Sequence, residues 1–372
     1  MVEELVPPPR DRKGLRTGFT TGSCATAAAK AATIALVGGH APATVTIDLP
    51  IGGTASFAPV CWELGDGWAS CAVVKDAGDD PDATHGARIH ARVAWREGHG
   101  IILTGGEGVG TVTLPGLGLE VGGPAINPVP RQMIVAAVTE AADDRLARRG
   151  LLVTISVPGG EVIARKTLNG RLGIVGGISI LGTWGIVKPY STASWRASVV
   201  QAVQVAAANG QRELVLCTGS RSEKFAMRHF GHLPPLAFVE MGIFTGDALR
   251  ACVRADVRRV AVCGMVGKFA KLAQGHMQTH VAGNQIDMAF LAAIGAECGA
   301  GAALQAAIRG ANTARHVGEL VEADGLAAPF YGKLAALGRD RCSGHVLGGL
   351  QVEALLFDFA GQLLGQAGAV NA

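Results

Sequence analysis

Four aspartates, Asp76, Asp79, Asp80 and Asp82, fall within seven residues in the segment VVKDAGDDPDATHGA (73–87), between Lys75 and His85. Crowded carboxylates push one another's pKa upward, and a carboxyl raised toward neutrality, or a neighbouring imidazole, can accept a proton. On that ground Asp76, Asp79 and His85 are the candidate catalytic residues. A solvated acidic loop tip after a strand explains the same residues, and both readings stay open. An EF-hand is excluded, because the segment has neither the Asp-x-Asp-x-Asp-Gly order nor a Glu at the twelfth position.

A second set of candidates follows two short apolar runs. Glu213–Cys217 leads into TGSRSE (218–223), and Arg259–Cys263 leads into GMVGKFAKLAQGH (264–276). If these runs are parallel strands, their carboxyl ends are where an open sheet binds ligands. Thr218, Gly219, Ser220, Gly264, Met265 and Gly267 then line a ligand site. Gly264 to Lys268 is too short for a P-loop, and Phe269 stands where the metal-binding hydroxyl would be, which argues against phosphoryl transfer. His276 and His280 have i, i+4 spacing, but no Glu lies between them and Gly275 weakens a helix there, so no metal site is expected.

Near the start, RTGFTTGSCATAAAKAA (16–32) delivers Gly22 and Ser23 into a helix N-terminus, where free amides and the hydroxyls of Thr20, Thr21 and Ser23 could meet an anion. A capped helix with small residues for close packing accounts for them equally. GGEGVG (105–110) resembles half of a dinucleotide fingerprint, yet Pro115 and Pro124 follow where a helix should, so a flexible flap fits better. The stretch 167–191 alternates Gly with Ile, Leu and Val. It reads either as backbone packed tightly on backbone or ligand, or as an interdomain connector.

The elements that must position these residues show two rhythms. Ser23 to Val37 reads as an Ala-rich helix with Ser23 as N-cap and Gly38-Gly39 as its stop. Strands follow at 45–49, 56–64, 68–74, 87–96 and 100–103, with Asp66-Gly67 as a type I′ hairpin signal. A helix opens at Pro130 and runs to about Arg149, before a strand at 152–157. This is an α+β pattern. From about residue 190, helices at 194–208, 223–230, 246–255 and 268–273 alternate with strands at 213–217, 237–240 and 259–263, which indicates a parallel sheet. Helices at 284–298, 302–318 and 352–365 complete the chain. The expected division is a polar tail over 1–14, an α+β domain over 15–170 and an α/β domain over 171–372.

Composition limits the functions. Of 372 residues, 53 are Gly, 17% are charged and the net charge is +3, without a basic patch or the aromatics for base stacking, so no nucleic-acid partner is expected. Eight cysteines form no C-x-x-C pair, which disfavours zinc and a secreted disulfide framework. No signal-like or membrane-spanning run is visible, and the expected compartment is the cytoplasm.

RTGFTTGSCATAAAKAA, VVKDAGDDPDATHGA, GGEGVG, PAINPVPRQMI, TLNGRLGIVGGISILGTWGIV, TGSRSE and GMVGKFAKLAQGHMQTH occur in an order that resembles the CbiD family, the cobalt-precorrin-5B C1-methyltransferases of corrin-ring biosynthesis. The resemblance spans about residues 16–280. It departs at Gly182-Thr183-Trp184-Gly185, where the family more often reads Gly-Thr-Thr-Gly. Ile243 stands where Asp is usual, and Val281 where Ser is common. The resemblance implies a domain like the second domain of ribosomal protein S5 joined to a Rossmann-like domain. It also implies S-adenosylmethionine as methyl donor, a cobalt-corrinoid precursor as substrate, and no protein-bound metal. The donor would then lie at Thr218, Gly219, Ser220, Gly264, Met265 and Gly267. Thr20, Thr21, Ser23, Arg16, Lys75, Arg131, Arg171 and Lys268 would bind the macrocycle, with Arg88, Lys166, Lys188 and Arg221 as further partners for its carboxylate arms. A homo-oligomer and transient contact with neighbouring pathway enzymes are further expectations. A non-catalytic corrinoid carrier is the alternative; a nucleotide-dependent kinase rests on Gly264 to Lys268 alone.

Overall fold

A helix built from alanine can be approached closely on every side, and the helix α1 (Thr21–Gly38) is buried along most of its length at Cys24, Ala25, Ala27, Ala28, Ala29, Ala31 and Ala32. In the computed structural model, which describes residues 14–280 and 285–368, α1 packs between α2 (Pro128–Ala142) and a five-stranded sheet. Its N-cap is Thr20, not Ser23: Thr20 is extended and its hydroxyl accepts from the Ser23 amide at 3.1 Å. Ser23 is already inside the helix, and its own hydroxyl donates to the Gly185 carbonyl at 2.6 Å. The stop is as expected, with Gly39 left-handed at φ 73°.

The sheet contains β1 (Val60–Gly65), β2 (Trp68–Val74), β3 (Arg88–Arg96), β4 (Ile101–Gly105) and β5 (Gly150–Ser156), in the order β1-β2-β3-β5-β4. All neighbours are antiparallel except β4 beside β5. Alternating Ile89, Ala91 and Val93 of β3, with Leu151, Val153 and Ile155 of β5, are fully buried. The run expected as one strand over 56–64 is two. Thr54–Phe57 pairs with Val45–Asp48, and β1 starts after Pro59, which has no amide to give a ladder. Asp66-Gly67 does turn the β1–β2 hairpin, but only Gly67 has positive φ, so the turn is not type I′. Helix α2 ends at Ala142, short of Arg149, where Asp143 takes φ 51° and a 3₁₀ turn over Asp143–Ala147 follows.

The first unit extends to Thr192 and the second begins at Ala193, some twenty residues beyond the expected division at 170/171. The Gly-rich stretch belongs to the first unit. Ile178 and Ile180 bridge Val109 and Ile126, and Ile174–Val175 pairs with Thr111–Val112. A Cβ at Gly108 would overlap the Val157 carbonyl, and one at Gly177 would overlap Gly108. The GGEGVG segment is therefore a backbone-on-backbone seam, not the expected flap. The polar tail over 1–13 lies outside the described residues.

The second unit begins one residue into α3 (Thr192–Ala208). It continues through β6 (Glu213–Cys217), α4 (Ser220–His229), β7 (Phe238–Glu240), α5 (Thr245–Arg254), β8 (Arg259–Met265) and α6 (Val266–Ala273). Then come α7 (Met288–Glu297), α8 (Ala302–Arg309), α9 (Ala314–Ala323), α10 (Ala327–His345), β9 (Gln351–Phe357) and β10 (Leu363–Ala367). Sheet order is β7-β6-β8-β9-β10, parallel except for β10. Three expectations fail here. The run 352–365 forms β9 and β10, not a helix, and α10 was not anticipated. The helix over 302–318 breaks at Gly310, and Thr313 caps α9 anew by accepting from the His316 amide at 3.1 Å. The expected helix start at Asn284 lies outside the described residues.

Candidate functional site

In the first unit the acidic loop is built against the segment before α1. The Phe19 amide donates to the Asp76 carbonyl at 2.7 Å, and the Asp79 amide donates to the Arg16 carbonyl at 2.9 Å. Side chains reinforce this contact. The Arg16 guanidinium pairs with Asp76, and the Arg16 amide donates to Asp79 Oδ2 at 2.7 Å. Lys75, only 1% exposed, places Nζ 2.7 Å from Asp82 Oδ2, and Asp82 Oδ1 accepts from both the amide and the hydroxyl of Thr84.

These pairings reverse the expected electrostatics. Burial pushes the Asp76 carboxyl upward, but the Arg16 hydrogen bond, the Gly78 amide and the charges of Arg16 and His85 outweigh it and hold Asp76 below the usual carboxyl value. Asp82 is likewise raised by burial, and lowered further than that by Lys75 and Thr84. Neither is a carboxyl poised near neutrality. His85 Nδ1 accepts from the Ala77 amide at 3.1 Å, which leaves the proton of the neutral ring on Nε2. Asp76 and His85, with Asp79 beside them, form a brace for the loop.

The expected anion contacts at the start of α1 are engaged as well. Thr20, Thr21 and Ser23 are buried. The Thr21 hydroxyl accepts from the Leu181 amide at 2.8 Å, and the Gly22 amide donates to the Leu181 carbonyl at 3.0 Å. Arg16 and Lys75 face aspartates. Among the named cations of this unit, Arg88, Arg131, Lys166 and Lys188 make no ion pair among the described residues, and Arg171 is exposed.

In the second unit, the chain leaves β6 toward β7 on one side and returns to β8 on the other, so the order reverses between β6 and β8. A crevice for ligands lies at such a point. The Thr218 amide donates to the Cys263 carbonyl at 2.9 Å, and a Cβ on Gly264 would come within 2.6 Å of Thr218 Oγ1. Thr218 and Gly264 thus join the two strand ends. Beyond them Gly219 and Gly267 face open space, Ser220 is exposed at the first turn of α4, and Met265 is half-buried. The structure brings all six expected ligand-site residues to one edge of one sheet. Lys268 reaches the same edge, where its Nζ lies 3.3 Å from Thr279 Oγ1.

Lys271, which is 7% exposed, was not singled out from sequence, and Asp82 was named only within the crowd of aspartates, not as partner of the buried Lys75. Lys271 follows Lys268 at the i+3 spacing that shares a helix face, and that was the available signal. Burial pushes the Cys24, Cys71, Cys252 and Cys342 thiols up to about 12. Among the described residues no group of three or more His, Cys, Asp or Glu is placed to hold a metal ion.

Comparison with known proteins bears on both units. The CbiD family model matches residues 8–189, and the model of the CbiD C-terminal domain matches residues 278–368. A protein of Geobacillus kaustophilus named cobalt-precorrin-5B C(1)-methyltransferase is 52% identical over 356 residues, covering 96% of this chain and 95% of its own length. The chain belongs to the CbiD family. A protein of the same name from Salinispora arenicola is 55% identical over 93% of this chain and 91% of its own. A crystal structure of the cobalamin biosynthesis protein CbiD from Archaeoglobus fulgidus is 30% identical, with a TM-score of 0.38 over 68% of this chain and 78% of that one. Within this CbiD-family chain, the first family model ends within three residues of the first unit's boundary at Thr192.

Proposed function

We propose that this chain is a methyltransferase that moves a methyl group from S-adenosylmethionine to C1 of cobalt-precorrin-5B, giving cobalt-precorrin-6A in corrin-ring biosynthesis. The observation that carries this reading is identity above 50%, over more than nine-tenths of the chain, to proteins named for that reaction. The first unit is read as a domain like the second domain of ribosomal protein S5. The second is read as Rossmann-like in the broad sense of a parallel sheet with helical crossovers. Eight free cysteines support a reducing, cytoplasmic setting.

The donor is assigned to the strand ends of β6 and β8. Bound there, it would supply a methyl already activated by its sulfonium. The chain's residues then need only bind, align and exclude water, and no covalent nucleophile is required. Gly219 and Gly267 leave room for a ligand to approach the backbone, while Thr218 and Gly264 fix the floor beneath it. In the first unit, Asp76, Asp79 and His85 hold the 73–87 loop in shape. Arg88, Arg131, Lys166 and Lys188 are the cations left to meet acetate and propionate arms, and Arg171 is exposed.

The test is anaerobic incubation with S-adenosylmethionine and the precursor, followed by mass analysis. Gain of one methyl is expected; tight corrinoid binding without any change in mass would favour a carrier instead. Ser220→Trp and Gly267→Trp, both outside the packed floor, are expected to abolish donor binding. Retained binding in both variants would overturn the placement.

A further inference from the structure

Two lysines converge on one backbone segment at the ligand edge of the second unit. Lys268 Nζ lies 3.3 Å from Thr279 Oγ1, and Lys271 Nζ lies 3.4 Å from the Thr279 carbonyl. Both come from one face of α6, in the turn that follows Gly264, Met265 and Gly267. Neither ammonium forms an ion pair among the described residues, although Lys271 is only 7% exposed and Thr279 is fully buried. A buried ammonium held by one long bond to a neutral carbonyl, beside a second ammonium, is poorly compensated. The repulsion is visible in Lys268, whose pKa is lowered by burial and by the charge of Lys271.

A third polar group belongs to the same neighbourhood. The Thr279 amide donates to the Ile243 carbonyl at 3.1 Å and the Gly246 amide donates to the Met277 carbonyl at 2.9 Å, which lays the 277–279 segment along the start of α5. Thr245, the first residue of α5, is completely buried, and its hydroxyl has no hydrogen-bond partner. No side chain caps that helix. Two positive charges and an idle buried hydroxyl thus sit at one end of the sheet, and neither ammonium is ion-paired to a carboxylate among the described residues.

We propose that Lys268 and Lys271, with Thr245 and Thr279, form a carboxylate-binding subsite that fixes the orientation of a ligand at the ends of β6 and β8. The inference rests on the methyltransferase reading for its two sources of carboxylate: the methionyl end of the donor, and an acetate or propionate arm of the macrocycle. A single carboxylate spanning the two ammoniums would gain two charge-assisted bonds and relieve their mutual repulsion. This gives α6 a task separate from closing the sheet: it supplies the countercharge that seats the ligand.

The test measures dissociation constants by calorimetry for the full chain and for Lys268→Met and Lys271→Met. One arm compares S-adenosylhomocysteine with its decarboxylated analogue; the other compares a corrinoid bearing free acetate and propionate arms with its methyl ester. The wild-type chain is expected to prefer the carboxylate form by about 10- to 100-fold in one arm, and the variants are expected to lose that preference. The arm in which it is lost identifies the source. Unchanged affinity for the carboxyl-free partner shows that the pocket itself is intact. If both variants keep every preference of the wild type, or if the wild type has no preference in either arm, the subsite does not exist. Failure of the wild type to bind S-adenosylhomocysteine at all would instead count against the donor reading, and the corrinoid arm would still decide the subsite. Thermal melting guards against misfolding, since Lys271→Met removes a buried charge and is expected to melt no lower than wild type. If it does melt lower, Lys268→Gln replaces it in both arms.

Discussion

At the scale of single residues, the two ion pairs of the 73–87 loop differ in worth because they differ in burial. Arg16 and Asp76 are 35% and 40% exposed, so water screens them and their pairing adds about 0–1 kcal/mol. Lys75 is 1% exposed, and removing Asp82 would strand a buried ammonium. Asp82→Ala is therefore expected to destabilise the chain by about 3–5 kcal/mol in denaturant unfolding, with Asp76→Ala far milder. The acid response follows from the same pairs. Asp76 and Asp82 both titrate below their unfolded value, so the unfolded chain binds more protons and stability rises with pH in that range. The contribution is complete above about pH 4, the ordinary carboxyl value, and is lost as pH falls through the depressed values. Melting temperatures taken downward from pH 6 are expected to fall less steeply in Asp82→Asn than in wild type. An equal slope would show that the pair does not carry the acid sensitivity. The sequence displays the crowd of aspartates plainly, but not their partners. Arg16 lies 60 positions from Asp76, and only the fold brings it near enough to reverse the expected shift.

At the scale of elements, what could be read in advance was what local sequence controls. Glu213–Cys217 was legible to the residue, because a short apolar run bounded by polar turns is too short for a helix. The segment 352–365 was misread because VEALLFDFAGQLLG is an apolar run whose periodicity fits a helix or two buried strands alike. Pairing with β8 decides between them, and that pairing joins residues about ninety positions apart. Thr20 displaced Ser23 as cap for a related reason. Both can cap, and Ser23 is drawn into the helix because its hydroxyl finds the Gly185 carbonyl, 162 residues on. The glycines separate in the same way. Gly108 and Gly118 have nearly equal φ, 70° and 69°, yet only Gly108 meets another backbone, while Gly118 has nothing within 4 Å. Substituting alanine at both holds the left-handed strain, about 1 kcal/mol, constant and leaves the overlap as the difference. Gly108→Ala is expected to melt several degrees below Gly118→Ala, as roughly 1 kcal/mol or more of overlap would produce. Equal melting temperatures would mean that the 105–110 and 174–180 segments yield freely, as a flap would.

At the scale of the whole molecule, the chain has two separate cores. One is formed around α1 with Ile89, Val93, Leu151 and Val153. The other is formed by the parallel sheet, with Leu214, Leu216, Val262 and Leu355. A ligand that binds only the folded form adds stability by mass action, about 2.7 kcal/mol at a hundredfold excess over Kd, and adds it first to the unit that contains its site. The placement of the methyl donor on β6 and β8 therefore predicts where protection must appear. Under saturating S-adenosylhomocysteine, amide exchange in the full chain is expected to slow most in β6, β8 and α6. The amides of β2, β3 and α1 should gain less, because ligand contacts do not oppose their local opening. Exchange resolved by peptide reads both units in one experiment, so each serves as the other's control. Protection concentrated in residues 73–87 would move the donor to the first unit and leave the switch point of the parallel sheet to the macrocycle. Protection centred on β8 and α6 would instead place the donor against Lys268 and Lys271. The strand order of the second unit and its unbalanced charge would then serve the same ligand.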